Sequence, residues 1–312
     1  SVIQTSFSFI ENITPSTLVN PVFARHETFH PRFGWLKKGF DAAIENPEIF
    51  LDDEATVRLG VGKNMVRSIR YWCNAFKVLD NDNPSKFGER LLDNKGWDSF
   101  CEDPASLWLL HWNLLKPPCN AAAWYFVFHL FQGNDFTQND LFLALCDYRD
   151  SLGGKIADSS LEKDITCILR MYVEQSSKDK PSEDTLDCPF TELGILHTAA
   201  DTKHFTFRIG EKNNLPPEIV VAACLEYAVR VGDQKTIAMP RLLYDPGSPG
   251  MAFKLIEGDV CDAIERVSRH FNSLFLSDTA GIIQFSFTAD PWQLATDILE
   301  HYYHNRGNRT SK

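Results

Sequence analysis

The sequence predicts a mainly α protein with small β hairpins, an α+β chain in which winged helix-turn-helix-like units pack with additional helices. Three observations predict it. Apolar residues recur at helical spacing along much of the chain. A short helix, a glycine turn and a longer helix with opposed apolar and basic faces are legible between residues 52 and 78. Helix, hairpin and helix signals then recur in the last third.

Residues 1–20 are polar and aperiodic and read as an extended lead-in. A helix is expected over 34–45, closed by Pro47. Asp52, Asp53 and Glu54 supply acidic N-terminal chemistry for a short helix ending at Gly60. The tripeptide Gly60-Val61-Gly62 makes a tight turn, and a longer helix follows over 64–78. There Met65, Ile69, Trp72 and Phe76 fall at i, i+4, i+7 and i+11 and form one apolar stripe. Lys63, Arg67, Arg70 and Asn74 repeat that spacing on nearly the opposite face. The apolar stripe must pack inward, so the Lys/Arg/Arg/Asn stripe must point outward, which is helix-turn-helix organisation.

A wing is expected next, a loose hairpin from 77–79, the polar loop 80–84 and 87–92. Asp103-Pro104 caps a Leu/Trp-rich helix over 105–116, Pro117-Pro118 marks a hinge, and 121–131 reads as another buried helix. A weaker helix-turn-helix-like pair follows. Thr137 caps a helix to about residue 149, Gly153-Gly154 breaks it, and Ser159-Ser160-Leu161-Glu162 reads as a capping box. The helix it opens sets Leu161, Ile165, Ile168 and Tyr172 on one face, and 174–189 reads as an exposed linker. Beyond it come a strand at 204–209, a helix from Pro216-Pro217-Glu218 to about 231 and a Pro/Gly turn at 244–250. A helix at 257–274, a strand at 281–288 and a final helix capped by Asp290-Pro291 and running to about 304 complete the chain. No strict internal repeat is visible. The expected division is an N-terminal winged-helix-like DNA-binding unit at 1–116, a helical middle unit at 117–180 and a C-terminal α+β winged-helix-like unit at 181–312.

The composition, 44% hydrophobic and 23% charged over 312 residues, is that of a soluble globular chain with two or three packing units. No apolar run approaches the roughly 18 residues that cross a bilayer, and the first residues lack a signal-peptide pattern. A cytoplasmic location is expected, with no membrane partner. The eight cysteines, at 73, 101, 119, 146, 167, 188, 224 and 261, contain no Cys-x-x-Cys pair, so reduced thiols fit better than a zinc ribbon or disulfide framework. A net charge of −11 argues against indiscriminate nucleic-acid binding. Locally the sign reverses: Arg58, Lys63, Arg67, Arg70 and Lys77 occur with no acid between residues 58 and 77. A focused DNA-contacting element has this pattern, and so does a solvated helix face.

His26-Glu27-Thr28-Phe29-His30 spells the zinc-protease pattern, which needs both histidines on one uninterrupted helix. Pro21 and Pro31 flank it too closely for that. Gly60-Val61-Gly62-Lys63-Asn64 has Val57 and Asn64 where a phosphate loop needs Gly and Ser or Thr, so it is a turn. His111 and His129 lie in apolar helices and read as core residues. The densest polar cluster is Arg25, His26, Glu27, His30, Arg32, Lys37 and Lys38. It holds acid-base groups and phosphate-pairing cations, or else it is a surface loop whose side chains bond the backbone.

Two strings are specific together: His26-Glu27-Thr28-Phe29 with residues 32–38, and residues 59–66 with Ser68-Ile69-Arg70-Tyr71-Trp72. With Leu107-Trp108-Leu109-Leu110-His111-Trp112, and Ser248-Pro249-Gly250 followed by Phe253-Lys254-Leu255, they resemble a bacterial family catalogued as a domain of unknown function. The resemblance runs from about residue 20 to 304. That family includes the DNA-nicking component of the Ssp DNA phosphorothioation and phage-defence system. What it implies is DNA nicking, in company with a cysteine desulfurase, an ATPase and a phosphoadenosine-phosphosulfate-reductase-like protein. The residues alone imply DNA binding.

Nicking requires an activated nucleophile, charge stabilisation at phosphorus and protonation of the leaving oxygen. His26 is the candidate acid or base, Glu27 a base or divalent-metal ligand, and Arg32 the phosphate clamp. Lys37, Lys38, Lys63, Asn64, Arg67, Arg70 and Asn74 are the candidate DNA contacts. A divalent metal, Mg or Mn, is usual for such chemistry, although no carboxylate cluster in the sequence demands one. The alternative is a non-catalytic DNA-binding adaptor that recruits the sulfur-transfer enzymes.

Overall fold

A computed structural model describes residues 22–174, 188–232 and 235–306. The expected lead-in at 1–20, and nearly all of the expected linker at 174–189, lie outside the described residues.

The first helix, α1 (Trp35–Glu45), turns Trp35, Leu36, Phe40 and Ala43 inward. After a 3-10 turn at Ile49–Leu51, α2 (Ala55–Leu59) ends on Gly60, whose φ of 66° is a left-handed conformation that strains a residue with a β-carbon. Next comes α3 (Lys63–Ala75), packed on α1 and α2. Its Ile69 and Trp72, and Phe76 just after it, are fully buried, while Met65 is half-buried, so the apolar stripe faces inward as its period predicts. The helix stops at Ala75 rather than 78, because Lys77 turns the chain with φ 64°.

The expected hairpin is present only as two-residue strands, β1 (Leu79–Asp80) and β2 (Asn83–Pro84). Residues 87–92 do not extend it. They form α4 (Lys86–Leu92), whose first turn is capped by the Ser85 hydroxyl accepting from the Gly88 N–H at 2.9 Å. Gly88 also lies against the backbone of Val78, where an added Cβ would come within 2.1 Å of the carbonyl oxygen. A helix with a glycine at that contact, not a strand, satisfies the crossing.

Asp103 caps α5 (Pro104–Leu115), which is buried along almost its whole length and serves as a central post. Then α6 (Ala122–Tyr125) continues as a π-helical turn, Phe126–Leu130. Strand β3 (Asp135–Thr137) leads into α7 (Gln138–Ser151), opened by a capping box between Thr137 and Asp140. The next helix, α8 (Asp158–Tyr172), buries Leu161, Ile165, Ile168 and Tyr172 as expected. Its N-cap is Ala157, so Ser159 and Ser160 lie inside the first turn and do not cap it.

A 3-10 turn at Pro189–Leu193 precedes β4 (Leu196–Thr198) and β5 (His204–Phe207). The strand order is β3-β5-β4. Strands from both sides of the expected 180/181 boundary thus share one sheet.

The last third comprises α9 (Pro217–Val231), β6 (Thr236–Ala238), α10 (Met239–Tyr244), α11 (Pro249–Phe253), α12 (Glu257–Ser268), β7 (Leu274–Thr279), β8 (Ile282–Phe287) and α13 (Pro291–Asn305). The helix expected over 257–274 stops at Ser268, and its last expected residue, the buried Leu274, opens a strand. The sheet order is β6-β8-β7.

Helix, short strand, helices and hairpin therefore occur twice, from α6 to β5 with two helices between strand and hairpin and from α9 to β8 with three. In both, the first strand pairs with the second strand of the hairpin. The repeat lies in topology, which is why no sequence period reveals it. One continuous core from Phe23 to Tyr303 joins everything. Phe76 stacks on Phe190 at 5.1 Å, and Trp97 on Tyr303 at 5.1 Å, across segments remote in sequence. Among the described residues no helix is long and apolar enough to cross a membrane.

Candidate nucleic-acid interface

The N-terminus of α3 is open. Gly62 is its N-cap, no side chain caps it and its first turn contains no acid, so free backbone N–H groups face outward. Lys63, Asn64 and Arg67 are exposed along this face. The Arg67 guanidinium stands 4.0 Å from a Glu27 carboxylate oxygen and remains 55% exposed, so the contact neutralises little of its field.

Farther along, the stripe changes role. Arg70 grips Asp82 with Nε 3.0 Å from both carboxylate oxygens and Nη2 2.7 Å from one. Asn74 donates to the same carboxylate at 2.9 Å and accepts the Asp82 N–H at 3.1 Å. These bonds hold the β1–β2 turn, where Asn81 and Asp82 have φ of 47° and 66°. Arg70 and Asn74 are thus scaffold for the turn, and their cation is paired internally. The turn and the end of α3 border a polar cleft of about 690 Å³, lined also by Lys77, Ser85 and Asn120. The Lys77 ammonium donates to the Asn113 carbonyl oxygen. Burial pushes its pKa down to about 7, and the nearby Lys116 and Arg230 push the same way.

The loop at 25–32 is less of a surface than its polarity suggests. His26 has no exposure. Its Nε2 lies 2.8 Å from Asp164 Oδ1, which also accepts the Ala24 N–H at 2.9 Å. The ring stacks on Trp72 at 6.1 Å and meets Trp124 edge-on at 5.7 Å. Ser68 donates to the His26 carbonyl, and Trp72 Nε1 to that of Phe29. Burial raises the Asp164 pKa, with the His26 hydrogen bond opposing that shift. His26 therefore pins the loop to α8, and its imidazole is not presented to a surface ligand. Residues 25–28 form a turn, so the His-Glu-x-x-His helix of a protease is absent here.

Glu27 is half-exposed and reaches the cationic face. Arg32 is half-exposed, with its guanidinium 5.6 Å and 5.4 Å from the Phe29 and Trp35 ring centroids. Lys37 departs from the expectation. It is buried, and its ammonium donates to the Leu92 carbonyl at 2.8 Å and to Asn94 at 3.0 Å while pairing with Asp41 at 3.0 Å. Lys38, one residue on, is exposed.

The structure thus brings together Lys63, Asn64, Arg67 and Glu27, and sets His26 and Lys37 inside the fold. Asp164 and Asp82 were missed from the sequence. Asp164 had a signal, since an acid three residues after Leu161 on a helix with an apolar face needs a buried partner. Asp82 had none beyond its place in a polar turn.

The sequence profile of a family described as a protein of unknown function, DUF4007, matches residues 23–303. Among solved structures, an SspB crystal structure is similar with a TM-score of 0.86 and 38% identity, covering 93% of this chain and 90% of that one. A magnesium ion-bound SspB crystal structure has the same TM-score and identity and covers 92% and 89%. No curated protein matches the chain.

Proposed function

The chain belongs to the DUF4007 family, and from that membership, its likeness to SspB and the cationic face of α3 we propose that it binds DNA and nicks one strand, serving DNA phosphorothioation and antiviral defence. The observation that carries this reading is the exposed Lys63, Asn64 and Arg67 on a helix whose open N-terminus suits phosphate. In this reading α2 and α3 are the two helices of a helix-turn-helix, α3 lies in the major groove, and the β1–β2 turn is a short wing held by Arg70 and Asp82. The two later repeats of strand, helices and hairpin are further winged-helix-like units. The protein works in the cytoplasm beside a cysteine desulfurase, an ATPase and a phosphoadenosine-phosphosulfate-reductase-like protein.

We assign the phosphodiester chemistry to the loop at residues 25–32, whose Glu27 reaches this face. Glu27 is the base or metal ligand, Arg32 the phosphate clamp, and His26 the positioning residue that fixes their loop against α8. Among the described residues, no three His, Cys, Asp or Glu side chains converge on one point. That fits a mostly hydrated Mg²⁺ better than a protein cage, because Mg²⁺ retains waters and takes one or two carboxylates plus substrate phosphates. Glu27 is the carboxylate within reach of the cationic face, and a bound ion there would supply charge neutralisation at the phosphodiester.

Relaxation of supercoiled plasmid, with Mg²⁺ and with chelator, tests the activity. Loss of nicking in Glu27→Gln with DNA affinity retained supports the assignment. Absence of nicking by the wild type in either condition leaves the second reading, a DNA-binding adaptor. The burial of His26, which removes the obvious acid-base group from the surface, favours that second reading.

A further inference from the structure

We propose that the shallow groove between residues 31–37 and the 100–101 loop is a platform for unpaired DNA, whose bases stack on Phe33 and Phe100. The proposal rests on the DNA-binding reading and extends it from the duplex to the single strand. Phe33 and Phe100 are 60% and 68% exposed, and both line this one groove. Two exposed aromatic rings over one apolar floor, formed by Pro31, Leu36, Leu110 and Phe190, are unusual for a solvated surface. The groove holds only about 30 Å³, so a side chain cannot sink into it, whereas a flat ring can lie across it.

Its surroundings choose the ligand. The Lys37 ammonium sits 5.7 Å from the Phe100 centroid, the Arg32 guanidinium lines the groove, and Lys38 is exposed on the next turn. Lys37 is itself neutralised by Asp41 and bonded to the Leu92 carbonyl and Asn94, so the cations that meet phosphate here are Arg32 and Lys38, with Glu102 the exposed acid two residues beyond Phe100. Aromatic faces beside cations suit nucleobases joined by phosphates, and every base offers a π-face, so the site needs no sequence preference. An acidic or purely apolar protein segment would use only half of these features. Because α1 packs on α3, the platform and the duplex face belong to one unit, as a strand leaving a duplex near a nick requires.

The test is fluorescence anisotropy of the full chain with a labelled short oligo-dT strand and with the matching duplex. Phe33→Ala and Phe100→Ala should each weaken oligo-dT binding about tenfold, and together about a hundredfold. Duplex affinity and melting temperature should hold, and Phe33→Trp with Phe100→Trp should retain strand binding. Lys63→Ala with Arg67→Ala should show the opposite pattern. Unchanged oligo-dT affinity in the double alanine variant overturns the proposal and gives the groove to a protein partner. Equal loss on both DNA forms overturns it as well. Wild-type binding to duplex but not to oligo-dT overturns this proposal alone, and binding to neither overturns the DNA-binding reading with it.

Discussion

His26 and Asp164 lie 2.8 Å apart, both essentially without exposure, and each has one further polar atom unsatisfied, Nδ1 and Oδ2. Removing His26 leaves the buried Asp164 with the Ala24 N–H but without its ring partner, and truncating one member of such a buried pair costs roughly 3–5 kcal/mol. His26→Ala is therefore expected to lower the melting temperature strongly, and any loss of nicking must be judged against that melt. Trp72 is fully buried, and its Nε1 donates to the Phe29 carbonyl at 3.0 Å. Trp72→Ala should cost about 3–5 kcal/mol, read by denaturant unfolding. A Trp72→Ala protein that melts like the wild type would show that the inward face of α3 is misplaced. Glu27→Gln changes a half-exposed group and should leave the melt within about 0.5 kcal/mol of wild type.

At the scale of the element, α3 divides into two halves. Lys63→Ala and Arg67→Ala remove exposed cations, and each should reduce the slope of log affinity against log salt by about one. Arg70→Ala should act differently, because Arg70 is spent on Asp82. Asp82→Ala should reproduce its effect on the β1–β2 turn. The check is to titrate DNA over a salt series with all four variants. Equal slopes for Arg67→Ala and wild type would remove α3 from the interface. A full one-phosphate loss for Arg70→Ala would mean that the Asp82 pair opens on DNA. In the last repeat the helix before the hairpin, α12, carries Glu257, Asp259, Asp262 and Glu265 against Arg266. Acids there oppose phosphate, in contrast to the exposed cations of α3.

For the molecule as a whole, the buried amines set the pH dependence. Lys77, Lys212 and Lys254 each have a pKa pushed down to about 7, first of all by burial. Lys254 donates to the Phe128 carbonyl and Lys212 to that of Lys254, where the middle and last repeats meet. Between pH 7 and the ordinary lysine value near 10.5, the unfolded chain holds protons that the folded one does not, so stability rises with pH in that window. Below pH 7 both states are protonated and the effect is complete. The buried thiols limit the upper side: Cys73 and Cys224 are raised by burial, so unfolding is favoured once free thiols ionise near 9. Melting temperature should therefore be higher at about pH 8.5 than at pH 7, and Lys254→Met should flatten that rise. A melting temperature that falls steadily from pH 7 upward would contradict the burial of these amines.

Local chemistry decided much of this fold in advance. Gly60 ends α2, Thr137 opens α7 and Asp290 opens α13 wherever the rest of the chain goes, because caps and left-handed turns depend on a few adjacent residues. The α3 stripe was legible for the same reason, since a period of 3.6 puts its apolar and basic residues on opposite faces without reference to any partner. Only tertiary structure decided which polar residues remain polar surface. His26 and Lys37 look like solvent-facing chemistry in a linear reading, and both are buried because Asp164, from 138 residues away, and the Leu92 carbonyl, from 55 away, satisfy them. Likewise β3 finds β5 across the expected 180/181 boundary. Pairing of that kind is a long-range choice of hydrogen-bond partners, and neither periodicity nor composition contains it.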